Sequence, residues 1–170
     1  MMISPEILRR YPFFGGLDAN QLTALAQVAT EKEIEAGVFL FHEGEPLKEM
    51  YLTLEGQVDI LFELPAQGVN HTVSEQLLGE MKTDEVVVTT IGSGQVFAWS
   101  ALLPPHEATA SAKTVTAVKV IVFDGTALMQ SFAGDPALGC LMTQKVATVM
   151  RERLRALRIE SLAAYVGGRR

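Results

Sequence analysis

Cysteine, histidine and long apolar runs are scarce in this chain. Its only cysteine, Cys140, cannot form an internal disulfide, and no two of its three histidines form the His-x-His pattern of a metal site on a β-roll. No apolar run approaches the roughly 20 residues that cross a bilayer. The N-terminal residues also lack the basic and apolar regions of a signal peptide. We therefore expect a cytoplasmic protein with no metal and no membrane span.

Basic residues are outnumbered as well. The chain has 14 Lys and Arg against 20 Asp and Glu, for a net charge of −6. Binding along nucleic acid phosphates needs clustered basic residues, so this balance disfavours a nucleic-acid footprint over the whole domain. Only the stretch from Lys145 to Arg170 is basic, with seven basic and two acidic residues. We interpret it as a solvated or intersubunit helix face, with an acidic or protein partner as the alternative.

The middle of the chain has the pattern of an antiparallel β protein. Short β-rich runs alternate with turn residues, which indicates a sandwich, roll or barrel. The predicted strands are Val38 to His42, Met50 to Leu54, Gln57 to Phe62, Val86 to Ile91, Thr109 to Lys113 and Val118 to Phe123. Glu55-Gly56 predicts a tight hairpin between two of them. The polar segment Leu64 to Glu75 predicts the tip of a long hairpin or a mobile loop.

Helical patterns flank these strands. A short helix is expected over Pro5 to Phe14, and a second begins at Asp18, whose spacing from Gln21 is that of a capping box, and ends near Thr30. After the strands come a short helix over Thr126 to Phe132 and a long one beginning at Asp135-Pro136. We predict a single domain, 1-170, with N-terminal helices at 1-32, a β-roll at 33-124 and C-terminal helices at 125-166.

The long helix has apolar residues at helical spacing over about five turns. They are Leu138, Leu141, Met142, Val146, Val149, Met150, Leu154 and Leu157. A helix of this length exceeds what a small β-roll can cover. We therefore expect part of the stripe to pack against a second copy and form a homodimer.

Two glycine-containing motifs lie in the strand region, AGVFLFHEGEP from Ala36 to Pro46 and MYLTLEGQV from Met50 to Val58. They resemble the cyclic-nucleotide-binding domain superfamily, the sensor domain of catabolite-activator-type regulators and of cyclic-nucleotide-dependent kinases and channels. Gly37, Gly44 and Gly56 are expected at turns, where a positive φ is accessible mainly to glycine. The resemblance implies a mainly β fold, a double-stranded β-helix or jelly-roll-like β-roll, with N-terminal helices and a long C-terminal helix.

Residues 94-109 fall where this family has its phosphate-binding cassette. In the family a Gly-Glu pair opens a short helix, the glutamate holds the ribose hydroxyl, and a later arginine pairs with the cyclic phosphate. Here Ala98 and Trp99 occupy the Gly-Glu positions and Ala108 occupies the arginine position, whereas Thr109 matches. Removing one partner of a buried charged contact costs about 3 to 5 kcal/mol, or roughly a hundred- to several-thousand-fold in affinity. We therefore expect no standard binding of cAMP or cGMP.

If a ligand binds, the resemblance and the cassette pattern assign it to one group of residues. These are Phe97, Ala98, Trp99, Ser100, Ala101, Ala108, Thr109 and Ala110, with amides at the start of the cassette helix as anion donors. Trp99 either forms an aromatic wall against a planar ligand or plugs the pocket. An arginine from elsewhere, such as Arg151 or Arg153 of a neighbouring copy, would contradict the interpretation of a silent or repurposed receptor.

These inferences predict a regulatory, sensor or adaptor domain and not an enzyme. No cofactor is expected, the alternative ligand being a cyclic nucleotide or another small anion. One rival is a genuine cyclic-nucleotide receptor that uses backbone amides and Thr109, and another is a structural interaction subunit. Transcription factors of the family continue into a helix-turn-helix domain, whereas five residues follow Tyr165, so no direct DNA-binding domain is expected. Ligand occupancy is expected to shift the helices against the roll.

Overall fold

A computed structural model describes residues 3-65 and 83-167 of the chain. The helices are α1 (Pro5–Arg9), α2 (Ala19–Gln27), α3 (Gly125–Gly134) and α4 (Pro136–Gly167), with 3-10 turns at Pro12–Phe14 and Trp99–Leu102. The strands are β1 (Ala29–Ile34), β2 (Phe39–Phe41), β3 (Glu49–Glu55), β4 (Val58–Pro65), β5 (Thr83–Ile91), β6 (Val96–Phe97), β7 (Ser111–Thr114) and β8 (Val118–Asp124). The expected mainly β fold with flanking helices and a long C-terminal helix is confirmed.

The strands form two antiparallel four-stranded sheets, in the orders β1-β8-β3-β6 and β2-β7-β4-β5. Strand β8 of the first sheet contributes side chains to two separate buried clusters, one on each face of the sheet. Its Val120 and Val122 pack in one buried cluster with residues of the second sheet, and its Ile121 and Phe123 pack in another with the helices. Because successive side chains of a strand point to opposite faces, one strand contributes to both clusters.

The turn glycines of the sequence motifs have the expected backbone conformation. Gly37, Gly44 and Gly56 have φ values of 78°, 81° and 84°. The turn at Gly56 is, however, not a hairpin. It leads from β3 to β4, which lie in different sheets, so the hairpin prediction at Glu55-Gly56 is wrong. The turn connects the two sheets because the apolar faces of both strands are buried.

The N-terminal helices are shorter than expected. The first predicted helix is α1 followed by a separate 3-10 turn, and α2 ends at Gln27. The capping box of Asp18 and Gln21 is confirmed. Residues 29-34, partly predicted as helix, form β1, which pairs with β8 from Ala29 opposite Phe123 to Ile34 opposite Val118. Pairing with an apolar neighbouring strand overrides the weak helical preference of these charged residues.

Most of the segment Leu64 to Glu75 lies outside the described residues. The strands on either side, β4 and β5, pair antiparallel along their whole length, from Val58 opposite Ile91 to Pro65 opposite Thr83. No helix in the described ranges is long and apolar enough to cross a membrane.

The start of α4 is capped as the sequence predicts, since a carboxylate oxygen of Asp135 accepts a hydrogen bond from the amide of Leu138 at 3.1 Å. The expected single apolar stripe is divided between two faces. Leu138 and Met142 are buried against the body of the domain. Further along, Met150, Leu154 and Leu157 form a second, exposed face, with 41%, 50% and 37% of their surfaces accessible. We call these three residues the outer stripe.

Candidate ligand site at the cassette

The cassette begins with a strained residue. Ala98 has φ 63° and ψ 32°, a left-handed conformation that follows the short strand β6. The helix expected after it is a single 3-10 turn over Trp99–Leu102. A glycine would adopt this left-handed conformation more easily than Ala98 does, because a residue with a Cβ atom loses roughly 1 to 2 kcal/mol there.

The cassette surrounds a cavity of about 50 Å³. Seven of the eight predicted site residues line it, namely Phe97, Ala98, Trp99, Ser100, Ala108, Thr109 and Ala110. Ala101 does not line it and is buried in the cluster between the sheets, because the 3-10 turn directs it away from the cavity. The other side of this cassette cavity is formed by Phe41, Leu47, Ile60 and Arg153. The sequence motifs did not identify these four residues.

Arg153 of α4 is the feature of this site that the cassette sequence does not reveal. The guanidinium carbon lies 4.4 Å from the centre of the Trp99 ring, and Nη2 donates a hydrogen bond to the backbone carbonyl of Val96. An arginine therefore does reach the hollow left by the missing cassette arginine, and it comes from the same chain and not from a neighbouring copy. This finding contradicts the interpretation of a silent cassette that has no cation. Because this contact joins residues far apart in the sequence, its only sequence signal is the basic character of the long helix.

Burial shapes the electrostatics of this arginine. Removal from solvent lowers the pKa of Arg153 to about 10, so the guanidinium remains charged at neutral pH. Among the residues that the structure describes, no carboxylate forms an ion pair with it. Its contacts are an aromatic ring and one carbonyl, which stabilise a cation without neutralising it. The cavity therefore has a positively charged wall.

A larger groove lies next to the cassette cavity, and Arg153 lines both. The groove has a volume of about 670 Å³ and runs between α4 and the edge formed by residues such as Phe13, Ile91 and Gln95. This volume is within the range of roughly 300 to 1,000 Å³ that is typical of small-molecule sites, whereas the cassette cavity is well below it. The cavity, and not the groove, is where the predicted site residues meet.

A second polar cluster lies on the other sheet, around Glu63. One of its carboxylate oxygens accepts a hydrogen bond from the Ser111 hydroxyl at 2.7 Å and lies 2.7 Å from Nδ1 of His42. The Ser111 hydroxyl in turn accepts from the amide of Glu43. These contacts, Ser111 first and then His42, hold the pKa of Glu63 below its ordinary value. The cluster anchors β2 to β4 and β7.

The two sheets, the cassette and the flanking helices define a β-roll, and comparison with known proteins agrees with this fold. The sequence profile of the family described as "Cyclic nucleotide-binding domain" matches residues 31–135. The chain therefore belongs to the cyclic nucleotide-binding domain family.

Individual relatives are similar over most of this chain. A proposed potassium channel protein of Rhodopseudomonas palustris is 26% identical over 85% of the chain. A CRP-like cAMP-activated global transcriptional regulator of Mycobacterium tuberculosis is 26% identical over 88% of it. The chain spans only 31% and 58% of the lengths of these two relatives.

A solved structure agrees with this assignment. The crystal structure of a proposed cyclic nucleotide-binding protein from Geobacter metallireducens has a TM-score of 0.73 and 29% sequence identity. The match covers 90% of this chain and 99% of that protein. The similarity therefore extends beyond the β-roll to the flanking helices.

Proposed function

We propose that this chain is a regulatory module that acts by binding and not by catalysis, and that it does not recognise cAMP or cGMP in the way its family does. The matched relatives, named as a cAMP-activated regulator and a proposed channel, support a regulatory role. A cytoplasmic location belongs to the same proposal. The observation that carries it is the cassette itself, where Ala98, Trp99 and Ala108 stand around a cavity of about 50 Å³.

The expected affinity for a cyclic nucleotide depends on the residues at the positions that contact its phosphate and its ribose. Alanine at position 108 offers no charge to a phosphate, and tryptophan at 99 offers no carboxylate to a ribose hydroxyl. The missing arginine alone corresponds to roughly a hundred- to several-thousand-fold in affinity. Arg153 brings a cation to the cavity from α4, but its guanidinium is hydrogen-bonded to Val96 and stacked on Trp99, and it does not replace the carboxylate that holds a ribose hydroxyl. The cavity is also several times smaller than the roughly 300 Å³ of the smallest usual ligand sites. Contact with the Arg153 guanidinium supports Trp99 as a plug.

Calorimetric titration with cAMP and with cGMP tests this proposal. We expect no binding in the micromolar range, with adenosine as a control for stacking on Trp99. The rival receptor, which uses backbone amides and Thr109, predicts micromolar binding of cAMP that is weakened in Thr109→Ala. Micromolar binding of cAMP that survives Arg153→Met would overturn the proposal, whether or not it requires Thr109.

The proposal includes a homodimer formed through α4. From Leu154 to Gly167 every residue of this helix of 32 residues is exposed, so the apolar side chains near its end are accessible to solvent in the single chain. The outer stripe continues the a/d spacing of a coiled coil, with steps of four and three residues from Met150 to Leu154 and Leu157. Two such stripes packed together would remove apolar surface from water.

Substitution of the outer stripe tests the dimer. The double variant Leu154→Glu with Leu157→Glu is expected to be monomeric by light scattering, because it places like charges at the seam. Ile159→Glu is the matched control. Ile159 is equally apolar and 58% exposed, but at 3.6 residues per turn it lies on the opposite side of α4. A wild-type monomer, or a double variant that remains dimeric, would refute this part of the proposal.

Ligand and helix are linked in this proposal by Arg153. The residue belongs to α4, which carries the outer stripe, and its side chain lines the cassette cavity. A ligand that changes the contacts of Arg153 would therefore change the energy of the present helix position. Such coupling requires different ligand affinities for two helix positions.

A further inference from the structure

Arg153 lies in an environment that favours an anion. Its charge is partly removed from solvent, and no described carboxylate neutralises it. A guanidinium has five N–H donors, and the carbonyl of Val96 accepts from only one of its nitrogens. The Trp99 ring covers one face of the group but accepts no conventional hydrogen bond. Donors therefore remain for a further acceptor.

The walls of the cavity next to Arg153 supply complementary groups. The hydroxyls of Ser100 and Thr109 belong to the lining, and the remainder of the lining is apolar or alanine. At roughly 10 to 15 Å³ per water, a cavity of about 50 Å³ holds about three to five water-sized atoms. A tetrahedral oxyanion has about this size, whereas a whole nucleotide would extend beyond the cavity.

We propose that Arg153 is the anion-binding residue of the cassette cavity, where it binds a compact oxyanion of the phosphate type together with the hydroxyls of Ser100 and Thr109. This proposal rests on the function proposed above and names the ligand chemistry of the same site. The cation that the cassette lacks at Ala108 is supplied by α4, across the cavity. The oxyanion is either a free ion or the phosphate group of a larger molecule.

Arg153 would bind the oxyanion through the N–H donors that its bond to Val96 leaves unused, and the anion would compete with Val96 for the guanidinium. Both the Val96 carbonyl and an oxyanion use guanidinium N–H donors, and charge-assisted hydrogen bonds to an anion are about twice as strong as neutral ones. Binding would therefore reorient the guanidinium relative to Trp99. Because Trp99 is the only tryptophan in the chain, its fluorescence reports this change directly.

The test uses inorganic phosphate as the probe, with chloride adjusted to constant ionic strength because salt screens such contacts. Calorimetry and Trp99 fluorescence should both give saturable binding with a Kd of about 1 mM or lower. Arg153→Met should weaken this binding about ten- to hundredfold, the range expected for loss of a hydrogen bond to a charged group. Arg155→Met is the matched control, because Arg155 is exposed on the same helix.

The outcomes separate this proposal from the proposed function. Absence of phosphate and cAMP binding to the wild-type protein, or phosphate binding that is equally strong in Arg153→Met, would overturn the anion site and leave the non-standard regulatory module standing. Arg153 would then be a structural contact between α4 and the roll. Micromolar cAMP binding that survives Arg153→Met would overturn both.

A second arm identifies the source of the oxyanion. Phosphate binding that depends on Arg153 supports a free ion, and cAMP binding that depends on Arg153 while phosphate does not bind supports a phosphodiester. Circular dichroism checks that Arg153→Met is folded. If it is not, Arg153→Lys replaces it, with an expected weakening of a few-fold because lysine keeps the charge and loses the planar fork. Unchanged phosphate and cAMP binding in whichever of these two variants is folded and measured would overturn the proposal.

Discussion

Replacement of Gly56 by alanine gives a quantitative test of the turn that connects the two sheets. Gly56 has φ +84°, and a Cβ atom added there would lie 2.4 Å from the carbonyl oxygen of Ala117 and 2.8 Å from side-chain atoms of Thr116 and Val118. The carbonyl belongs to the backbone between β7 and β8, so it cannot rotate away as a side chain could. Either this backbone or the Gly56 turn must move.

Two terms contribute to the expected loss of stability. The left-handed conformation costs a residue with a Cβ atom about 1 to 2 kcal/mol. Forcing an extra methyl into a packed site costs typically about 1 to 3 kcal/mol more. We therefore expect Gly56→Ala to lower the free energy of unfolding by about 2 to 5 kcal/mol, a large part of the stability of an ordinary domain.

Gly37→Ala separates these two terms. Gly37 has nearly the same φ, +78°, but no atom lies within 4 Å of an added Cβ. This variant should lose only the conformational part, about 1 to 2 kcal/mol. Urea unfolding followed by circular dichroism measures both variants, with unchanged m-values as the check on two-state behaviour. Equal losses in the two variants would show that the contact with Ala117 has no energetic weight.

Three further substitutions test the core, the strained cassette residue and the polar cluster. Leu128→Ala, at a fully buried position, should lower the free energy of unfolding by about 2 to 5 kcal/mol in a urea titration, and a loss below about 1 would contradict its place in the core. Ala98→Gly should raise the free energy of unfolding by up to about 1 kcal/mol, because it relieves the left-handed strain, and a lowered free energy of unfolding would contradict that strain. The pKa of Glu63 is lowered in the folded state, so its ionised carboxylate stabilises the fold at pH values above its ordinary pKa of 4.5. This contribution is lost as the pH falls through the folded-state pKa. The stability difference between wild type and Glu63→Gln should therefore shrink between pH 7 and about pH 3, and a constant difference would refute the role of Ser111 and His42.

Local patterns predicted much of this fold because they act over a few residues. The capping box of Asp18 and the positive φ of Gly44 follow from the chemistry of single residues and short turns. Six strands were located from apolar runs and turn residues. Strand β1 was missed because Ala-Thr-Glu-Lys-Glu-Ile has no apolar alternation of its own. Its structure depends on β8, which is distant in the sequence and provides the hydrogen-bonding partners.

The candidate site shows the same division. The resemblance of residues 94-109 to the family's cassette predicted seven of the eleven residues that line the cassette cavity, and that its usual carboxylate and arginine positions hold other residues. The position of Arg153 could not be inferred in that way, because it depends on how α4 packs across the roll. The sequence determines turns, caps and short strands locally, because their stability depends on interactions between residues that are close in the sequence. Contact between Arg153 and Val96, 57 residues apart, exists only when the folded core brings the helix and the cassette together.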